Sequence, residues 1–340
     1  MKTYRSSIPG YAREKTTMLP EINNTAASAR YALRLFAAVL LVTISVFVGF
    51  DADAAVKQKG FATPEEAVKA FAAAMQSNDE RELLSIFGPT AKELISSGDP
   101  VRDKTQREKF VGDYDRKNSI TQEGAKMVLV IGEKDWPFPI PLVKKADQWI
   151  FDTKAGKEEI LNRRIGENEL STVQTLLAVV DAQREYAMND RDNDGLLEYA
   201  EKFRSDPGKK NGLYWETKEG EEPSPLGELV AGGQAEGYTL AGSKSAPIPY
   251  HGYIFRMLKQ QGKHASGGAF DYVVKNKMIG GFAVVAYPAK YGNSGVMTFI
   301  VNHDGVVYQK NLGRNTVNIA QAMTKYDPDK TWKRVEDKEE

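Results

Sequence analysis

Five carboxylates fall within twelve residues at Asp190–Glu201, DRDNDGLLEYAE. At that density they repel one another unless a cation sits among them. Their spacing fits a loop that wraps Ca2+, with side-chain oxygens at positions 1, 3 and 5, glycine at 6, a main-chain carbonyl at 7 and a carboxylate at 12. The expected ligands are therefore Asp190, Asp192, Asp194, the Leu196 carbonyl, Glu198 (directly or through water) and Glu201. Alternate residues are required because every second side chain of a wrapping chain points inward. Gly195 stands where the turn is too sharp for a β-carbon. Leu197 is expected to be buried beside the loop. So many protein oxygens suit Ca2+ better than the smaller, more rigid shell of Mg2+. Pro207 leaves barely two turns on the exit side, so this is a single loop between a helix and an irregular segment, and Glu201 depends on that short exit to reach the ion. The alternative is a capped acidic turn with solvated carboxylates.

Other constellations are weaker. His251, Asp271 and Ser294 follow the chain order of one hydrolase triad, and YGNSG surrounds Ser294. The short span between them cannot hold the two barrels that carry that triad, and triads are defined by geometry rather than order. A Gly/Ser/Asn hairpin loop is the simpler reading. His303-Asp304-Gly305 reads as a turn in which Asp-Gly supplies positive φ, and His264 lies in a polar loop with no assigned role. Three histidines and no cysteine leave no zinc or iron site. GLYW at Gly212–Trp215 is either a ligand-stacking platform or, more simply, a buried aromatic pair in a loop. Lys+Arg and Asp+Glu are both 46 and dispersed, so no nucleic-acid partner is expected. No catalytic residue is assigned.

The elements that hold the loop follow from patterning. Residues 1–54 read as a signal peptide: Arg30 and Arg34 precede an apolar run, and Ala52 and Ala54 permit cleavage after Ala54. That predicts a periplasmic or secreted protein starting near Ala55, with Met18 as an alternative start. An uncleaved anchor through Ala32–Phe50 is the rival, and the one route to a membrane. Residues 58–160 are expected to form a small α+β domain, a cystatin- or NTF2-like cone. Thr63, Pro64 and Glu66 open a helix with Ala67, Phe71, Ala74 and Met75 inward; ERELLSIFG and a third helix with Phe110, Val111 and Tyr114 inward follow. Strands KMVLVIG, FPIPLVKK and QWIFDT come next, and Pro137, Pro139 and Pro141 mark an edge strand or arm. Residues 165–333 are expected to form a second domain: an amphipathic helix with Leu170, Val173, Leu177, Val180 and Arg184 on one face, the acidic loop, a polar surface excursion, then an antiparallel meander with KN, AKYGNSG and HDG as connectors.

The motifs FATPEEAVKAF, LISSGDP, DWPFPIPLVKK, FDTKAGKEEI, VDAQREYA, GLYW, YHGY, FDYVV and VMTFIVNHDGVVYQK run collinearly over Phe61–Trp332. Together they resemble the bacterial exported family catalogued as domain of unknown function 2950 (DUF2950). That resemblance implies no activity and no catalytic residues. More loosely, the helix–loop–meander half is similar to a pilin- or pseudopilin-type globular domain, though its helix is internal and lacks the apolar segment that assembles a fibre. The function expected is a non-catalytic, calcium-clipped binding or envelope-assembly accessory module. Its partner would be an envelope protein or a small ligand, with the cone as pocket. The alternative is a periplasmic hydrolase with a carboxylate or histidine site; a deep polar pocket with convergent carboxylates or histidines would favour it.

Overall fold

Thr63 before Pro64 starts the first helix as side-chain chemistry dictates. In the computed structural model, which describes residues 57–238 and 248–336, α1 (Pro64–Gln76) is capped by the Thr63 hydroxyl. That hydroxyl accepts from the Glu66 N–H at 3.2 Å, and the Glu66 carboxylate accepts from the Ala62 N–H at 3.2 Å, one residue before the expected capping-box partner Thr63. Asp79 caps α2 (Glu80–Phe87), and α3 (Lys92–Ile95) is a single turn. Asp99 caps α4 (Pro100–Arg116), again with proline at the first helical position. The expected leader, residues 1–54, lies outside the described residues. Among the described residues no helix is long and apolar enough to cross a membrane.

An antiparallel sheet follows: β1 (Asn118–Glu123), β2 (Lys126–Ile131), β3 (Trp136–Pro137), β4 (Leu142–Lys145) and β5 (Gln148–Phe151). β1 is a largely exposed edge with Ile120 as its single apolar residue, and without apolar alternation it gives no strand signal in the sequence. Within this sheet proline is confined to β3, which pairs with β2 alone as an edge piece does, and to the irregular stretch before β4. β3 and β4 pair with opposite ends of β2, and β5 lies beyond β4. The prolines are tolerated because the strand is broken between β3 and β4, where Phe138 N–H still reaches the Leu129 carbonyl at 2.7 Å. Phe71, Phe87, Phe110, Phe138 and Phe151 meet in the core between these helices and the sheet, with Phe71 at 4.7–5.6 Å from each of the other four rings.

α5 (Thr153–Tyr186) runs unbroken for 34 residues and crosses the boundary expected between 160 and 165. Its first turns pack on the aromatic core. Gly156 is required there, since a β-carbon would stand 2.3 Å from the Pro139 carbonyl oxygen. Its later turns bury Leu176, Val179, Val180 and Tyr186 in a second core. The expected helix face is only partly right: Val180 is buried and Val173 packs against the core, but Leu170 is 62% exposed and Leu177 also faces out. The inward face carries Asn168, Thr172, Thr175 and Gln183 instead. Each makes at least one hydrogen bond, which lowers the penalty that would otherwise keep them out. Gln183, for instance, exchanges two 2.8 Å bonds with Ala200.

Residues 187–226 hold no helix and no strand longer than a bridge. They are more than a surface excursion, because Ala200, Leu213, Trp215 and Leu226 join the second core. After α6 (Gly227–Ala235) comes a five-stranded antiparallel sheet with β6 (Tyr253–Leu258) at one edge. Short pairs β7 (Gln260–Gln261) with β8 (Phe270–Asp271), and β9 (Val273–Val274) with β10 (Lys277–Met278), lead to β11 (Ala283–Pro288). The β9–β10 turn has Lys275 and Asn276 both at positive φ, the two-residue hairpin its sequence predicts. β12 (Met297–Asn302), β13 (Tyr308–Asn311), helix α7 (Thr316–Ala322) and β14 (Lys333–Arg334) complete the order β6-β11-β12-β13-β14. Every residue of β11 is buried. Among the described residues, seven helices and antiparallel sheets make this an α+β fold, and both cores belong to one compact unit, residues 55–340.

Candidate functional site

The acidic loop closes where α5 ends. One oxygen each of Asp190, Asp192 and Asp194 lies within 4.8 Å of the others. Gly195 adopts φ +86°, and its N–H donates to Asp190 at 2.8 Å, holding that carboxyl below its usual range. The centre already receives a cation of the chain itself. Lys277 Nζ on β10 contacts Asp192, Asp194 at 2.8 Å and Glu198 at 3.4 Å. The carboxylates raise the lysine's pKa, and contact with Lys277 depresses that of Asp194, whereas burial raises that of Glu198. Glu201 is drawn away to Lys259. Leu196 is exposed, with its N–H bonded to Asp194 at 2.9 Å. Leu197 is 58% exposed rather than buried, because the loop is anchored by a different residue. Arg191, its side chain 4% exposed, lies between the rings of Tyr186 and Trp215 at 5.4 and 5.2 Å and pairs with Glu222 at 2.7 Å. The Trp215 of GLYW therefore clamps the loop. Three of the six expected ligands converge, Glu198 stands beside them across Lys277, and Glu201 points elsewhere.

The histidines are separate from one another in their contacts. Ser294 is fully buried, and its hydroxyl serves the Lys290 backbone, accepting from N–H at 2.9 Å and donating to the carbonyl at 3.2 Å. His251 lies 3.5 Å from Glu236, His264 3.0 Å from Asp327, and His303 3.8 Å from Asp304. Asp271 sits in the β7–β8 pair. Gly305 holds φ +79°, so HDG is a turn, as its residues predict.

A buried polar network ties the two cores together, and sequence reasoning missed it. Asp99 caps α4 with one oxygen, accepting from Arg102 N–H at 3.1 Å. Its other oxygen accepts from the Tyr238 hydroxyl at 2.8 Å and the Gly252 N–H at 2.9 Å. Asn168 donates to the Ser294 carbonyl at 2.7 Å, and Glu169 accepts from the N–H groups of Val296 and Met297 at 2.9 Å. The partners lie more than a hundred residues apart, so spacing gives no warning of them.

A concavity lies in the N-terminal half. A cavity of about 710 Å³ opens between α4, α5, α3 and residues 131–140, within the size range of small-ligand pockets. Phe71, Phe87, Phe110, Phe138, Ile131 and Ile140 form its apolar part, and no histidine lines it. Five carboxylates do, but four are engaged. Asp103 accepts from Ser97 N–H at 2.9 Å, Asp113 pairs with Arg116 at 3.3 Å, Asp135 with Lys117 at 2.7 Å and Glu167 with Arg102. Burial raises the pKa of Asp103 and lowers that of Arg164. No pair of free acid and base faces the space.

An α+β protein with an aromatic cavity in one half and a cation-filled acidic loop on the other is what these residues build. The chain belongs to the family described as Protein of unknown function (DUF2950), whose model matches residues 58–335. No curated protein and no solved structure matches it.

Proposed function

We propose that this is an exported, non-catalytic binding module of the bacterial envelope, with the N-terminal cavity as its ligand site and the acidic loop as a calcium clip. One observation carries the reading: the cavity in the N-terminal half has phenyl rings in its wall, no histidine, and a single unpaired carboxylate, Glu133, the composition of a binding pocket rather than of an acid–base site. Export is supported by the leader-like composition of residues 1–54 and the A-x-A pattern ending at Ala54. The calcium reading is supported by the convergence of Asp190, Asp192 and Asp194; the ion must displace the Lys277 ammonium to enter.

The test is expression of the full chain, N-terminal sequencing of the periplasmic product, and a thermal-shift screen of that product against small apolar compounds and divalent ions. A new N-terminus near Ala55 and a melting shift from apolar compounds, abolished by Ile160→Trp at the cavity wall, are expected. Retention in the membrane with Met1 or Met18 intact would replace export by anchoring. Turnover of a chromogenic ester or glycoside, lost on mutating a cavity carboxylate, would replace binding by hydrolysis.

A further inference from the structure

The charges around the cavity mouth are unequally compensated, and that imbalance defines a ligand class. Seven Lys/Arg and five Asp/Glu line the cavity. Arg102, Arg107, Arg116 and Arg163 each have a carboxylate partner, in Glu167, Glu80, Asp113 and Glu159. Arg164 has none in contact; its guanidinium bonds to the carbonyls of Glu93 and Leu94 and to Asn293. Lys109 on α4 and Lys134, in the turn between β2 and β3, are exposed cavity residues with no ion-pair partner among the described residues. The turn and the helix are held together, since Gly132 N–H donates to the Asp113 carbonyl at 3.2 Å. Only Glu133 offsets them as an unpaired acid. Behind this rim lies the phenyl cage of Phe71, Phe87, Phe110 and Phe138.

Apolar depth with unpaired cations at the mouth suits a molecule that is apolar at one end and anionic at the other. Its tail removes apolar surface from water on entry. Its head stays near solvent, where an ammonium–anion contact forms without the desolvation that a buried pair suffers. A cationic head would meet Lys109 and Lys134 instead. Resting on the binding reading above, we infer that the cavity takes a single-chain amphiphilic anion, with its tail among the phenyl rings and its carboxylate or phosphate head between Lys109 and Lys134.

Calorimetry on the purified full-chain product tests this with four probes of one tail length, each below its micelle concentration. They are dodecanoate, dodecyl phosphate, 1-dodecanol and dodecyltrimethylammonium; the first two distinguish a fatty-acid-type head from a phospholipid-type head. At least one anion should bind about tenfold tighter than the alcohol and the ammonium. The double variant Lys109→Gln, Lys134→Gln should weaken that anion by about five- to tenfold, the range for two solvent-exposed charge contacts, and leave dodecanol unchanged. Ile160→Trp should weaken every probe. Equal binding of all four heads, or no effect of the double variant, overturns the anionic inference and leaves the cavity reading standing. Failure of every probe to bind overturns both. Both lysines are exposed, so their removal leaves the fold intact, and a matching melting temperature checks that.

Discussion

The two cores solve burial differently. Around α1–α4 and the first sheet, aromatic side chains gather in ring-to-ring contact, and a cavity opens beside them. Around β11, every side chain of a central strand is enclosed by β6, β12 and α5, and the acidic loop lies at the surface of that half. A sheet covered on one face by a long helix closes on itself with small and branched side chains such as Ala283, Val284 and Val285. Phenyl rings between short helices and a strand broken by proline do not. The half that packs less completely is the half with room for a ligand.

Mutations in equivalent roles should expose that contrast. Phe299→Ala in the sheet core should lower stability by about 3–5 kcal/mol, because the neighbours of a fully enclosed ring cannot collapse into the hole. Ile160→Ala, half-buried at the cavity wall, should lower it by about 1 kcal/mol, since little enclosed surface is lost. Denaturant titration reads both, and comparable losses would show that the cavity wall packs as tightly as the sheet.

The junction between the halves comes next. Asp99→Ala removes a helix cap, leaves the Tyr238 hydroxyl without its acceptor (it still accepts from the His251 N–H at 3.2 Å) and leaves the Gly252 N–H unpaired, so a loss of about 2–4 kcal/mol is expected. Tyr238→Phe should lower stability by about 1 kcal/mol in the wild-type background and by much less once Asp99 is gone. Additive effects in that double-mutant cycle would deny the network its joining role.

A smaller effect should appear with pH. Burial lowers the pKa of His251 below 6.5, so the unfolded chain binds the proton more readily than the folded one. The stability this gives is present above pH 6.5 and lost as pH falls through the depressed value. His251→Gln should flatten that part of the stability–pH curve; an unchanged slope would assign it to other groups.

The last effect belongs to the surface loop and depends on added calcium. Lys277→Met should raise calcium affinity, since the ion then enters without displacing an ammonium, and should enlarge the calcium-dependent melting shift. Ligation of the native state alone adds about 2.7 kcal/mol at a hundredfold excess over Kd. Asp190→Ala should abolish the shift, while Asp206→Ala, bonded to Lys202 and Asn211 outside the loop, should leave it intact. Glu201→Ala should change it little, because Lys259 holds that carboxylate. No calcium response in either wild type or Lys277→Met would reduce the loop to an acidic turn closed by a lysine.

Local chemistry by itself determined much of this protein. Thr63-Pro64-x-Glu66 specified a capped helix, Lys275-Asn276 a tight hairpin turn, and the run from Ala283 to Pro288 a buried strand, because each depends on neighbours within a few residues. Asp190, Asp192, Asp194 and Gly195 likewise fixed the form of the acidic loop. Only the tertiary structure decided what that loop faces: Lys277 enters it from a hairpin more than eighty residues away, and Lys259 takes Glu201. It also decided that β3 and β4 pair with opposite ends of β2 across a proline-rich break, that the inward side of α5 is partly Asn, Thr and Gln, and that Asp99 meets Tyr238 and Gly252. These outcomes are set by long-range hydrogen bonds and ion pairs, whose partners have no fixed separation in sequence, so no periodicity or motif records them. The cavity is of the same kind, being the space left where four elements distant in the chain fail to close.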